Sequence, residues 1–163
     1  HPHAKRLDDC LDVASVWTIL GVVFALREQG MVREYRSETL ERTLRTLHTA
    51  VPGIIASVIV NNDGLLVSAY PPGDDDASHE TPTNSPQVAA MSAILIGLAE
   101  RTLRRLAQGD LKRLLIEGEE GVMIVYPAGR AALAVLVAHD VNIGQALYAA
   151  SRACNDVIRI LGA

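Results

Sequence analysis

Cysteine, aromatic residues and lysine are all scarce in this chain of 163 residues. Its two cysteines, Cys10 and Cys154, stand near opposite ends. A disulfide scaffold needs more of them in a shorter chain, so both are read as reduced thiols of a cytoplasmic protein. No C-x-x-C or comparable zinc spacing occurs. Aromatics make up 4% of the residues, which removes the stacking platforms on which single-strand binders lay their bases. Net charge is −4, from 15 basic and 19 acidic residues, so the basic excess of a nucleic-acid binder is missing too. Lysine is confined to Lys5 and Lys112, a bias toward arginine that is read as codon usage. The phosphate loop, G-x-G-x-x-G, G-x-S-x-G and H-E-x-x-H are all absent. No cofactor, metal site or catalytic residue is nominated. The neighbours His139-Asp140 are a chance pair, and Glu117, Glu119 and Glu120 are explained by the solubility of a turn.

Hydrophobic residues reach 49% and charged ones 21%, enough for a core and too apolar for a disordered tail. At roughly 150 residues per domain the length suits one domain with an extension. Residues 1–36 carry that extension. His1-Pro2-His3 reads as a ragged end rather than a metal site, and with no initiating methionine the start is read as cut or mis-assigned. Val13 to Leu26 is apolar except for Ser15, Thr18 and Gly21. As a helix rising about 1.5 Å per residue it spans roughly 21 Å, short of the ~30 Å hydrocarbon core. Lys5 and Arg6 precede it as in a signal peptide, but Asp8, Asp9 and Asp12 break that pattern and no A-x-A site follows. An extra helix, packed or docked on a partner, is the favoured reading. Membrane contact through residues 13–26 and a non-native extension are the alternatives. Gln29-Gly30 is expected to end this helix.

From Ser37 the punctuation is clear. Ser37 can cap a helix with Glu38 and Glu41 in its positive first turn. Leu40, Leu44, Leu47 and Val51 form one apolar stripe, and Pro52-Gly53 stops it. Ile54 to Val60 reads as a buried strand, Asn62-Asp63-Gly64 as a tight turn and Leu65 to Tyr70 as the returning strand. Pro71 to Asn84 is a polar stretch with Asp74, Asp75, Asp76, His79 and Glu80. It lacks the internal glycine and bidentate glutamate of a calcium loop and is read as a solvated loop. Ser85-Pro86 opens a helix expected to run to Gln108, with Gly109 as its cap. Arg113 to Glu117, Val122 to Tyr126 and Ala131 to Ala138 are three further strands, joined at Glu119-Glu120-Gly121 and Pro127-Ala128-Gly129. Ile143, Leu147, Ala150, Cys154, Val157 and Leu161 mark a last helix capped by Asn142. The order αββαβββα with short turns predicts an α+β domain over residues 37–163. Its central five-stranded antiparallel sheet carries helices on its faces, with an extra N-terminal helix before it.

The central helix is unusual. Val88, Leu95, Ala99 and Leu106 make one stripe fit to lie on the sheet. Ala90, Ala93, Ile94 and Gly97 make a second, of small residues, where a helix on one sheet needs an apolar arc of only about 100°. Self-association through that second stripe is favoured; a contact with the extra N-terminal helix is the alternative. Near the helix end Arg101, Arg104 and Arg105 cluster, with Glu100 placed to pair with Arg104. They suit the negative end of the helix dipole, or a docking patch for a protein partner.

In this order of elements the chain resembles the roadblock/dynein-light-chain family, in its prokaryotic MglB-like branch. The matching stretches are LRTLHTAVPGIIASVIV at Leu44–Val60, the turn and strand NNDGLLVSAY, and the small-residue helix VAAMSAILIGLAERTLRRL. LLIEGEEGVMIVYPAG, AALAVLVAHD and the N-I-G helix start at Asn142 complete them. The resemblance implies a non-enzymatic protein that forms homodimers through the central helix and the strand after it. It also implies binding of a small Ras-like GTPase, as scaffold or as activator of hydrolysis. On that basis the dimer interface is assigned to Ala90, Ala93, Ile94 and Gly97, and partner binding to Arg101, Arg104 and Arg105. Residues 1–36 and the Asp-rich stretch depart from the family pattern. Two competing functions remain: a PAS-like small-molecule sensor, whose cavity would have only Ser57 and Ser68 as polar groups, and a structural adaptor in a membrane-associated complex.

Overall fold

The structure, a computed structural model, describes residues 13–72 and 86–162. Cys10, the terminal histidines, the run Asp74–Asp76 with His79 and Glu80, and Ser85 lie outside the described residues. The chain divides into two units, residues 1–35 and 36–163. Within the first, the described side chains of the apolar run are exposed, Trp17 and Phe24 among them. Among the described residues no helix is long and apolar enough to cross a membrane.

Helix α1 covers Val13–Ala50. The expected break at Gln29-Gly30 and the cap at Ser37 are therefore overturned, and the extra helix is continuous with the first helix of the domain. A lone glycine costs a helix only about 1 kcal/mol, and the segment from Gln29 to Ser37 holds no proline but several good helix formers. Within the second unit Leu40, Leu44 and Leu47 are buried, as is Val51 just past the helix end. Thr43, Thr46 and Thr49 turn their hydroxyls back to carbonyls four residues earlier.

Strands β1 (Ile54–Asn61) and β2 (Leu66–Tyr70) follow, then helix α2 (Pro86–Arg105). After it come β3 (Leu114–Glu117), β4 (Gly121–Ala128), β5 (Ala131–Ala138) and helix α3 (Ile143–Leu161). The expected order αββαβββα is thus the observed one. The strands lie in the order β2-β1-β5-β4-β3, and every neighbouring pair is antiparallel. β5 sits in the middle and is almost wholly buried. Pro127 and Ala128 belong to β4, so the last hairpin turns on Gly129-Arg130. Gly129, at φ 66°, takes the first central position that a two-residue turn of this hand reserves for glycine.

Two apolar layers flank the sheet. Leu40, Leu44, Ile59, Ile124, Leu133, Val135, Val137, Ala150 and Val157 form the larger one, beneath α1 and α3. Each fully buried Leu or Ile contributes about 1.5–3 kcal/mol. Val58, Val60, Val125, Ala132 and Ala134 form the smaller one with Ala89 of α2. The alanines of β5 let α2 lie close. Asn142 caps α3 as expected, its side chain accepting from the Gln145 N–H at 3.1 Å.

Candidate interaction surface

Helix α2 is the element that sequence periodicity singles out, and its two faces differ from the expected assignment. The residues turned fully into the domain are Ala89 and Ser92, with Ile96 packed beside them. Ser92 Oγ donates to Val88 O at 2.8 Å, so its burial leaves no unpaired hydroxyl. Of the expected sheet-facing stripe, Val88, Leu95 and Ala99 are half-buried. Leu106 lies beyond the helix and is exposed. One reason is that the helix ends early. Ala107, at φ 54°, takes the left-handed position expected of Gly109, with Ala107 N–H donating to Arg104 O and Gln108 N–H to Leu103 O.

On the opposite side Met91, Ile94 and Leu98 are 59%, 67% and 54% exposed. Their spacing of three and four makes one apolar line along the helix. Sequence periodicity marks Ile94 but neither Met91 nor Leu98, because the small residues draw the stripe toward Ala90, Ala93 and Gly97. Those three stand on the flank. Ala90 is exposed, while Ala93 and Gly97 are half-buried. The β1–β2 turn explains two of them. A Cβ at Gly64 would stand 3.1 Å from Ala90 Cα and 3.8 Å from Ala93 Cβ, and Gly64 holds φ 82°. The small residues therefore let turn and helix approach. Gly97 has no such neighbour: a Cβ there would meet nothing within 4 Å.

Strand β3 forms one rim of the sheet, with Leu115 and Ile116 exposed. Its partners divide by face. Leu115 pairs with Ile124 of the α1/α3 layer, and Leu114 with Val125 of the α2 layer. Arg101, Arg104 and Arg105 are all exposed. Among the described residues none of them makes an ion pair, so the expected Glu100–Arg104 bridge does not form. Both residues instead line a groove of about 580 Å³ with Asp110, Pro127 and Gly129. Another groove, of about 420 Å³, runs between α1 and α3 past Thr43, Tyr148 and Arg152. Between the sheet and α2 lies an apolar hollow of about 200 Å³, lined by Ala56, Val58, Val88 and Met123.

Polar groups are few inside. Ser57 Oγ and His48 Nε2 share a hydrogen bond at 2.9 Å, and the His48 ring meets Tyr70 edge to face at 4.6 Å. Burial holds the His48 pKa below its ordinary value. Ser57 thus spends its hydroxyl on the α1 side and offers the hollow none. Tyr126 donates to Leu147 O, and its pKa is raised chiefly by burial, against the Arg113 guanidinium close by. Burial also raises the Cys154 thiol, which donates to Pro127 O. Among the described residues no group of three or more His, Cys, Asp or Glu is placed to hold a metal ion. Glu117, Glu119, Glu120, His139 and Asp140 are all exposed.

The domain is α+β, with an apolar line exposed on α2 and the apolar strand β3 at one rim of its sheet. Comparison with known proteins gives its family. Residues 40–138 match the Roadblock/LC7 domain, and the chain belongs to that family. It is 33% identical over 118 residues to an uncharacterized protein of Methanocaldococcus jannaschii, across 72% of this chain and 96% of that one. Its fold is shared by a Roadblock/LC7 domain from Streptomyces avermitilis, at TM-score 0.64 and 22% identity, covering 76% of this chain and 98% of that one. The gliding protein MglB of Thermus thermophilus also shares it, at TM-score 0.65 and 17% identity, over 77% and 90%.

Proposed function

We propose that the protein is a homodimeric, non-enzymatic regulator or scaffold of a small Ras-like GTPase, acting in the cytoplasm. The observation that carries this reading is the exposed line Met91–Ile94–Leu98 on a family member whose neighbouring sheet rim is open. An apolar face of this kind marks a protein contact, and an isologous pairing uses it twice. Antiparallel α2 helices bring Ile94 and Gly97 near the two-fold axis, with Ala90 and Ala93 on the flank. Arg101, Arg104 and Arg105 then lie outward on both sides, a composite surface for an acidic partner. Stimulation of hydrolysis would come from ordering the GTPase's own catalytic residues, since no arginine finger is nominated. The sensor reading is disfavoured by the hollow beneath α2, smaller than the ~300 Å³ a ligand pocket needs and without a free hydroxyl.

Replacing Gly97 by Leu tests the dimer and the partner site together. Leucine at a helix interior is favoured over glycine by about 0.7 kcal/mol, so the monomer stays folded while the helices are pushed apart. The expected result is a well-folded monomer by light scattering that no longer binds or stimulates the GTPase. A variant that remains dimeric would place the contact elsewhere. GTP turnover unchanged by the wild-type protein, with no complex on size exclusion, would remove the GTPase from the account.

A further inference from the structure

The rim strand β3 carries a charge pattern that is complementary to itself. Lys112 and Arg113 precede it, Leu114, Leu115 and Ile116 fill it, and Glu117 closes it. Read against a second copy running antiparallel, the basic start of each strand meets the acidic end of the other. From this, and resting on the dimer reading above, we infer that Arg113 and Glu117 are specificity determinants that select a second copy of this chain and set the register of β3 against β3.

The backbone restricts the register first. Gly118 N–H donates to Gly121 O at 2.8 Å, and β3 pairs with β4 in the same frame, Leu114 with Val125 and Glu117 with Val122. Hydrogen-bonded pairs alternate along an antiparallel ladder. Leu114 and Ile116 therefore turn their main-chain groups to β4, while Arg113, Leu115 and Glu117 turn theirs outward. Only registers that oppose outward residues to outward residues form hydrogen bonds. A slip of one residue both breaks the ladder and reverses the faces.

Charge decides among the registers that remain. With Leu115 opposite Leu115 on the two-fold axis, Arg113 of each copy faces Glu117 of the other. All four side chains stand on the α1/α3 face, the one on which Arg113 approaches Tyr126. On the other face Leu114 opposes Ile116 twice, continuing the apolar layer of α2. A shift of two residues one way sets Glu117 opposite Leu115; the other way sets Arg113 opposite Leu115. Either loses both ion pairs. Opposite charges directly across a strand pair stabilise by about 0.2–1 kcal/mol, and like charges destabilise comparably. The two-fold axis doubles each effect.

The test is a charge swap in the full chain, read by light scattering over a concentration series. Arg113→Glu leaves two acids at these positions and Glu117→Arg leaves two bases. Each alone should weaken its homodimer by about tenfold, a change of ~1.4 kcal/mol, and the loss should shrink in high salt. Mixed together, the two variants should form a heterodimer as tight as the wild type, and the double variant R113E/E117R should regain homodimerisation. Single variants that pair like the wild type, with no preference on mixing, would overturn the charge selection. If Leu115→Lys still disrupts the dimer in that case, the dimer reading survives without it. A dimer indifferent to Leu115→Lys overturns pairing at β3 and the charge selection with it, and leaves the α2 contact to be judged by Gly97→Leu.

Discussion

The two rims of the sheet are both short and both apolar, yet only one is guarded. β2 pairs with β1 through an irregular register at Ile59/Val60, and Pro71-Pro72 follow it without an N–H to offer. Its last residue, Tyr70, is held from the α1 side by the His48 ring, with the Arg45 guanidinium 6.0 Å from its centroid. β3 has no bulge and no proline, its lysine stands outside the strand, and its one charge, Glu117, is at the strand's end rather than inserted in its middle. Bulges, prolines and inserted charges are how sheets avoid pairing with other chains. On the proposed pairing, Leu65, Leu66 and Val67 are exposed on a rim closed to a second copy, while Leu115 and Ile116 are exposed on the rim that would receive one.

The contrast breaks most severely at β3 itself. Leu115→Lys should weaken self-association by about a hundredfold or more, because two leucines lose burial at about 1.5–3 kcal/mol each and about 1.4 kcal/mol is tenfold. Val67→Lys on β2 should leave the sedimentation of the protein unchanged. Next in size is the turn that leads into the guarded rim. Gly64→Ala puts a Cβ against Ala90 at a backbone angle that alanine resists, and should cost about 1–3 kcal/mol in chemical unfolding.

Acid should loosen β2 through His48. Its folded pKa lies below its ordinary value, so the unfolded chain binds the proton more readily. Stability is intact above the unfolded pKa of about 6.5 and falls as pH drops from there to the folded value, then levels. A His48→Gln variant should show a shallower decline in thermal midpoint across that window. The smallest effect is a gain. Ala107→Gly relieves a left-handed alanine and should add about 0.5–1 kcal/mol without altering self-association, since it lies past the end of α2.

Much of this architecture is legible in the sequence. The stripe Leu40-Leu44-Leu47-Val51 is buried as its spacing requires, and β5 occupies the residues its apolar run marks. The cap at Asn142 is readable because a side-chain acceptor at that position has a local partner, the Gln145 N–H. Other features depend on what lies across space. Gly30 resembles a helix end locally, but good helix formers on both sides carry the helix through it. Small residues on α2 have two uses, and sequence does not separate the clearance that Ala90 gives Gly64 from the open surface at Gly97. Met91 and Leu98 go unmarked because an exposed methionine or leucine reads like a core residue until the sheet is seen to lie on the other side. The rim position of β3 follows from strand order, which no local pattern states.

Residue-resolved hydrogen exchange over a dilution series tests the central claim most directly. The amides of Leu115 and Glu117 point away from β4 and, among the described residues, have no partner within one chain. If two copies join at β3, both should be protected at concentrations where the protein is dimeric and lose that protection on dilution, while protection along β2 stays constant. Fast exchange at Leu115 and Glu117 in a protein shown to be dimeric under the same conditions would contradict the account.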